Sequence, residues 1–423
     1  MSPFPRTFWR SSCSLLLGAV CLAASLLVPS RAGTAAEFFF KDGDRVMFLG
    51  DSITEQYQYS TDIELYLTTR FPKWRLSFLN AGISGDTANG GAGRFAEHVL
   101  AEKPTALTIN FGMNDAGYGA FDANRQATYL KQTEAMLQAA KVAGVRVALL
   151  SPNAVDRRVA DRFTLYLETQ KQFYSPLKDL AEKHTAAFVD QYAVTRAGLE
   201  KMEADKAEAV RPFGDGFHTS PPGGLYMAHA ILTGLGAPAL VSNAEIDIPS
   251  SKVTAEACVV EKLSADPQAL EFDRTDEAIP FPVQGDWVSL LPYVSGLKDL
   301  NRYGLKVTGL VAGKYTVSID GQETASYTAD ELAAGVNLGV ATAGPIHQQG
   351  QKALAAINAK NNVVHQRFRG VVMFSAPDWL ADVAAQRKPA ELTKRLEQIA
   401  ALQAEIYGLV QPVKHHFAIR VAK

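Results

Sequence analysis

The chain has 423 residues, 47% of them hydrophobic and 20% charged, a globular composition long enough for one large domain or two moderate ones. Its 42 Lys and Arg stand against 44 Asp and Glu, a net charge of −2. No basic stripe disturbs that balance, which argues against nucleic acid as a partner.

Residues 1–36 read as a removable export signal. Arg6 and Arg10 precede the unbroken apolar run CSLLLGAVCLAASLLV, and small residues follow, with cleavage expected after Ala36. The run covers 16 residues, short for a membrane span, which takes about 20; an uncleaved anchor is the alternative. Val20 before Cys21 is bulkier than a lipoprotein cleavage site accepts. The segment holds three arginines and no acid, so the remainder carries 39 basic and 44 acidic side chains, net −5. Only Cys258 survives processing, so no internal disulfide is expected and the core must hold by packing. Cys258 itself reads as a buried structural thiol, with a reactive thiol as the second reading.

From residue 44 to about 240, short apolar runs alternate with helical patterns. RVMFLG (45–50), RLSFLN (75–80), ALTINFG (106–112), VRVALLSP (145–152) and AAFVDQ (186–191) are rich in β-branched or aromatic residues. Between them lie segments of 3.6-residue spacing, such as QATYLKQTEAMLQAAKVAG, with Leu130, Met136 and Leu137 on one side and Gly144 as a stop. Strands apolar on both faces and separated by helices predict a covered parallel sheet. Such sheets bind ligands beyond the carboxyl ends of their strands, which brings Gly50, Asn80 and Gly112 to one edge.

After about residue 245 the texture changes. IDIPSSKVTAE reads as a linker or an edge strand. LKVTGLVAGKYTVSIDGQETASYT alternates at Leu305 and Val307, then at Tyr315, Val317 and Ile319, with Asp320-Gly321 as a hairpin turn. Helical spacing returns near residue 347. The stripe of Leu392, Leu396, Ile399, Leu402 and Ile406 reads as core packing rather than a partner-binding coil.

Four short motifs carry possible chemistry: GDSIT with Ser52, NAGISGDT with Asn80, Gly82, Ser84 and Gly85, NFGMND with Gly112, Asn114 and Asp115, and GDGFHTS with Asp215 and His218. Each has a bland reading. Ser or Asp before a helix is a common N-cap, Asn after Gly is a frequent turn residue, and Asp-x-x-His could be a surface loop or half of a metal site. Together they supply what a serine nucleophile needs. His218 can take the hydroxyl proton, and Asp215, three residues earlier in a glycine-rich loop, can fold back to orient the imidazole. The N–H groups of Ser52 and Gly82 and the side-chain amide of Asn114 are the candidate donors for an oxyanion, since such a site gathers several. Asp86 and Asp115 read as acceptors for loop hydrogen bonds. The remaining histidines show no metal spacing; the His415–His416 pair reads as a solvated tail, with opportunistic metal binding as the alternative. FRGVVMF (368–374) reads as a core strand or helix end, with aromatics offered to sugars as the alternative.

These residues resemble the SGNH hydrolases, the GDSL-type esterases and lipases. The four blocks fall at Ser52, Gly82, Asn114 and His218, with Asp215 before the histidine, over about residues 44–240. The resemblance implies a flavodoxin-like three-layer α/β/α fold with a parallel sheet, ester hydrolysis through an acyl-serine, and neither cofactor nor metal. NAGISGDT and GMND are most similar to members that resemble platelet-activating-factor acetylhydrolase or deacetylate carbohydrates. The expected organisation is therefore a signal at 1–36, the hydrolase domain at 37–245, a small antiparallel β module at 246–345, and a helical region at 346–423 able to pack back on the hydrolase domain. The expected protein is a secreted or periplasmic serine esterase. It would act on a small-molecule or polysaccharide ester, with short acyl groups such as acetyl favoured, and keep no stable membrane insertion once the signal is removed. The rivals are a lysophospholipase or thioesterase using the same residues, and a non-catalytic glycan-binding module.

Overall fold

The computed structural model describes residues 37–159 and 163–422, so the expected export signal lies outside the described residues. Five parallel strands make the first sheet: β1 (Arg45–Gly50), β2 (Ser77–Gly82), β3 (Ala106–Asn110), β4 (Arg146–Leu150) and β5 (Ala187–Val189), in the order β2-β1-β3-β4-β5. All five residues of β3 and five of the six in β1 are buried, so both faces of the sheet are covered. That explains why these strands read as continuous apolar runs rather than alternating ones. The order reverses between β1 and β3, and the crevice outside that switch point is where open α/β sheets bind ligands. Ser52 follows β1 there and Asn114 follows β3.

Helices α1 (Ser52–Glu55) and α2 (Gln58–Arg70) come directly after β1. Helix α3 (Ala123–Val142) buries Met136 and Leu137 as expected, together with Tyr129, while Leu130 is only partly buried. Helix α4 (Pro221–Gly234) starts on a proline pair, which costs nothing at a position whose N–H has no helical acceptor.

The second half holds two more sheets. IDIPSSKVTAE spans the end of β6 (Leu240–Asp247), a tight turn and all of β7 (Lys252–Glu256), an antiparallel pair with β7 at the edge, as the edge-strand reading has it. Strands β8 (Cys258–Asp266), β9 (Ala269–Asp276), β10 (Arg302–Thr308), β11 (Lys314–Ile319), β12 (Gln322–Thr328) and β13 (Val336–Asn337) follow. One sheet is ordered β13-β10-β6-β7, with β6 and β10 parallel; the other is antiparallel throughout, β12-β11-β14-β9-β8, where β14 is Lys414–Val421.

The region expected to be helical at 346–423 contains α5 (Pro345–Arg367) and α6 (Ala381–Leu409) and then ends as a strand. Alternation in β14 buries His415, Phe417 and Ile419, and Phe417 stacks on Phe272 with ring centres 5.1 Å apart. The histidine pair is accordingly part of a sheet and not a solvated tail. His415 Nδ1 lies 2.7 Å from Asp320 Oδ2, and His416 Nδ1 lies 3.1 Å from Asp273 Oδ1.

The parallel sheet's hydrophobic core extends into the second half. Ile357, Val364 and Phe368, with Ile399 and Ile406 of the predicted stripe, share one cluster with Leu49, Ile63 and Phe78. At the α2–α5 contact the packing becomes polar. Lys360 Nζ donates to Glu64, both being fully buried, and also to Gln403 Oε1 at 3.3 Å, while Asn361 Nδ2 donates to Thr61 Oγ1 at 3.0 Å.

Candidate active site

Between β1 and α1 the chain turns at once from strand to helix. The cap is Asp51, whose Oδ1 accepts the Ile53 N–H at 3.0 Å. Ser52 is therefore the first helical residue, half-buried, with its hydroxyl free for other work. That hydroxyl lies 2.8 Å from His218 Nε2, and His218 Nδ1 lies 2.8 Å from Asp215 Oδ2.

The loop carrying the last two residues holds itself in shape. Asp215 Oδ1 accepts the N–H of Phe217 at 3.2 Å and of His218 at 2.9 Å, leaving Oδ2 for the imidazole. The Phe217 ring lies 4.2 Å from the His218 ring. Partial burial pushes the Asp215 carboxyl up, but the hydrogen bonds from the His218 ring and the two N–H groups outweigh it and keep it below the usual carboxylate range. Gln56 ties the loop to the serine's helix: its Oε1 accepts the Thr219 hydroxyl at 2.9 Å and the Thr219 N–H at 3.2 Å.

The oxyanion donors divide differently from expectation. Asn114 is well prepared. The Tyr118 hydroxyl donates to its Oδ1 at 2.9 Å, which fixes the amide's orientation, and one Nδ2–H goes to the Asp86 carbonyl at 2.9 Å, leaving the second N–H uncommitted. Gly82 is not available: its N–H is buried and donates to Asn80 Oδ1 at 2.8 Å. The absence of a side chain at Gly82 serves packing instead, because a Cβ there would stand 2.3 Å from the Glu55 nitrogen. The expectation for Gly82 is thus corrected in favour of Gly85 in the same motif. Gly85 sits at φ +78°, a backbone state that favours glycine, and its N–H has no acceptor among the described residues. It directly precedes Asp86, whose carbonyl holds Asn114. The signal was present in the sequence, since Gly85 lies in a Ser-Gly-Asp turn whereas Gly82 ends a strand.

Two further residues went unnoticed in the sequence. Glu55, in α1, accepts from both the N–H (2.6 Å) and the hydroxyl (2.5 Å) of Ser84, the residue before Gly85. Arg369, from the turn that ends α5, places its Nε 3.2 Å from the other oxygen of Glu55. The run FRGVVMF is accordingly a helix end, with Phe368 buried and Arg369 turned to the site's rim.

Behind the serine lies a group of acids. Burial raises the Asp51 carboxyl to about 7, with Asp115 and Asp86 pushing the same way and the Ile53 N–H opposing. Burial likewise raises Asp115 to about 6, against the Ala88 N–H that its Oδ1 accepts at 2.9 Å. Asp86 is paired with Arg94 at 2.8 Å. Asp86 and Asp115 thus accept loop hydrogen bonds, as their sequence setting suggests.

A parallel sheet in this order, with a hydroxyl, an imidazole and a carboxylate aligned at its carboxyl edge, is the architecture of an ester-cleaving hydrolase. Residues 48–224 match the GDSL-like Lipase/Acylhydrolase family, so the chain carries a GDSL-like acylhydrolase domain. An acetylxylan esterase of Geobacillus stearothermophilus is 26% identical over 215 residues, 46% of this chain and 94% of that protein. The thioesterase 1/protease 1/lysophospholipase L1 of Escherichia coli K12 is 28% identical over 137 residues, 32% of this chain and 65% of its own length. A solved structure described as a gut microbial diltiazem-metabolizing enzyme is 24% identical, with a TM-score of 0.78 over 90% of this chain and 98% of that one. It shares the fold of both halves.

Proposed function

We propose that this esterase is exported and removes short acyl groups, acetyl foremost, from a carbohydrate through an acyl-Ser52 intermediate. The observation that carries the reading is the unbroken relay Ser52–His218–Asp215, with both links at 2.8 Å. His218 Nε2 takes the proton as Ser52 Oγ attacks the ester carbonyl, and Asp215 holds Nδ1–H and stabilises the imidazolium. The oxyanion is met by the N–H groups of Ser52 and Gly85 and the uncommitted N–H of Asn114. As the tetrahedral centre collapses, His218 returns the proton to the departing alcohol, leaving acyl-Ser52. Water, deprotonated by the same imidazole, then attacks, the acid leaves, and Ser52 recovers its proton.

The carbohydrate preference rests on the acetylxylan esterase, which this chain matches over 94% of that protein's length. A second reading, long-chain acyl esters or thioesters, is favoured by the shorter match to the thioesterase/lysophospholipase. Export rests on the order of charged, apolar and small residues in 1–36. A p-nitrophenyl ester series from acetate to palmitate, beside an acetylated xylo-oligosaccharide, separates the substrates. Rates highest on acetate and on the oligosaccharide are expected, and a maximum at long chains would select the lipid reading. A fluorophosphonate should label wild type and not Ser52→Ala; labelling of both would overturn the nucleophile. Mass spectrometry of the exported protein should find Glu37 at the amino terminus.

A further inference from the structure

A second cavity adjoins the His218 loop, and only this chain's second half completes it. It measures about 300 Å³ and lies where Gln56, Tyr57 and Asp62 of the hydrolase half face Gln284 and Asp286, with Asn358 of α5 closing one side. Gln56 is the residue that holds Thr219, next to His218, and Pro221 forms another part of the wall.

Asp62 is the informative group. It is 8% exposed, yet among the described residues no side chain or backbone donor reaches its carboxyl. A buried carboxyl without a partner is costly, so a polar group that nothing in the fold satisfies points to one supplied from outside. Burial, reinforced by Asp286, holds this carboxyl well above the usual range. The other polar lining groups are amides, two hydroxyls, an indole N–H and one exposed carboxyl, with no Lys or Arg among them. That inventory suits hydroxyl groups and is unsuited to an anion.

Position supplies the occupant. In acyl transfer the histidine passes its proton to the leaving alcohol, so the alcohol part of the ester lies on the His218 side of Ser52. The oxyanion donors Gly85 and Asn114 come from the other loops. We propose that this cavity is a subsite for a sugar ring of the alcohol moiety, with Asp62 as its buried hydrogen-bonding anchor. The inference rests on the carbohydrate-esterase reading above and adds where the sugar sits. It also gives a use to residues 284–286 and 358, which lie beyond the region matched by the family.

The test is isothermal titration of the full chain with unacetylated xylotetraose, beside deacetylation of acetylated xylotetraose. Wild type should bind. Asp62→Asn, which keeps a hydrogen-bonding group of the same shape, should stay within about threefold, whereas Asp62→Leu should weaken binding at least about tenfold, as loss of a buried hydrogen-bonding partner requires. Circular dichroism and the thermal midpoint check that Asp62→Leu is folded. Asn358→Leu, on an exposed helical position, should weaken binding too and keeps the test sound if Asp62→Leu does not fold. Deacetylation without xylotetraose binding, or binding indifferent to Asp62→Leu and Asn358→Leu, would overturn the subsite and leave the esterase reading standing. Asp62-dependent binding without deacetylation would sink the carbohydrate-esterase reading and keep the subsite. Absence of both would remove the two together.

Discussion

The two halves of the chain use β-structure in opposite ways. In residues 45–189 every strand of the sheet runs in the same direction, so every carboxyl end lies at one edge and the loops leaving them converge there. In residues 240–421 the ladders are antiparallel except β6–β10, so successive loops go to opposite ends and no single edge collects them. Strand β7 is almost wholly exposed and β8 alternates, while β3 is buried throughout. The difference teaches where chemistry can be assembled. The first half gathers the reactive groups, and the second reaches the site only through what packs against the first: helix α5, the turn ending at Arg369, and the segment 284–286.

The largest expected effect is a test of that division. If all covalent chemistry lies in the first half, Ser52→Ala and His218→Ala should each lower kcat by about 10⁴-fold or more. The double variant should be scarcely worse than either, because the members of one relay act as a unit. Additive losses would mean that a second nucleophile contributes.

Next is the joint between the halves. Lys360 and Glu64 are both buried and each is the other's charge partner; burial pushes the Lys360 amine down and the Glu64 carboxyl up, and each opposes the other's shift. Lys360→Met strands the carboxylate and should cost about 3–5 kcal/mol in urea unfolding, whereas Glu64→Leu combined with Lys360→Met should recover most of it. If Lys360→Met costs less than about 1 kcal/mol, the halves are not coupled through this pair.

The same contrast governs what the sequence discloses. The parallel strands were legible because burial on both faces leaves an uninterrupted apolar run, as in Val46–Leu49. The relay was legible because Ser52 follows the glycine that ends a strand, and Asp215 and His218 sit in a loop with distinctive glycine and proline neighbours. Strand β14 was not, because KHHFAIRV buries only every other residue and its two histidines read as polar. Its partners β9 and β11 lie more than 90 residues earlier, as in Phe417 opposite Phe272 and Ile319. Gly82 misled because its missing Cβ makes room for the Glu55 backbone, a contact that only the folded α1–β2 pair reveals. Lys360 and Arg369 gave no signal, because their partners Glu64 in α2 and Glu55 in α1 are distant in the chain.

A pH effect follows from the first half's burial. The Asp51 carboxyl is raised to about 7 in the folded protein from about 3.9 unfolded. Between those values the folded state holds a proton the unfolded state has lost, so stability falls as pH rises through this window. Asp51→Asn can still accept the Ile53 N–H and does not titrate. Its unfolding free energy in urea should gain on wild type between pH 5 and pH 7, by on the order of 1 kcal/mol per pH unit. A constant difference would show that Asp51 is ionised throughout.

The smallest expected effect measures how far the second half reaches into the chemistry. Arg369 pairs with Glu55 at 3.2 Å, and Glu55 in turn holds both polar groups of Ser84, one residue before the Gly85 donor. Arg369 is a positioning residue, since it touches neither the relay nor the oxyanion donors. Its side chain is 40% exposed, so the pair is screened and its loss is worth under about 1 kcal/mol. Arg369→Ala should lower kcat for p-nitrophenyl acetate about two- to fivefold with KM unchanged, and Arg369→Lys should restore part of it. A rise in KM at constant kcat would assign Arg369 to substrate binding. No change in either would leave Ser84 held by Glu55 alone and confine the second half's influence to the wall of the neighbouring cavity.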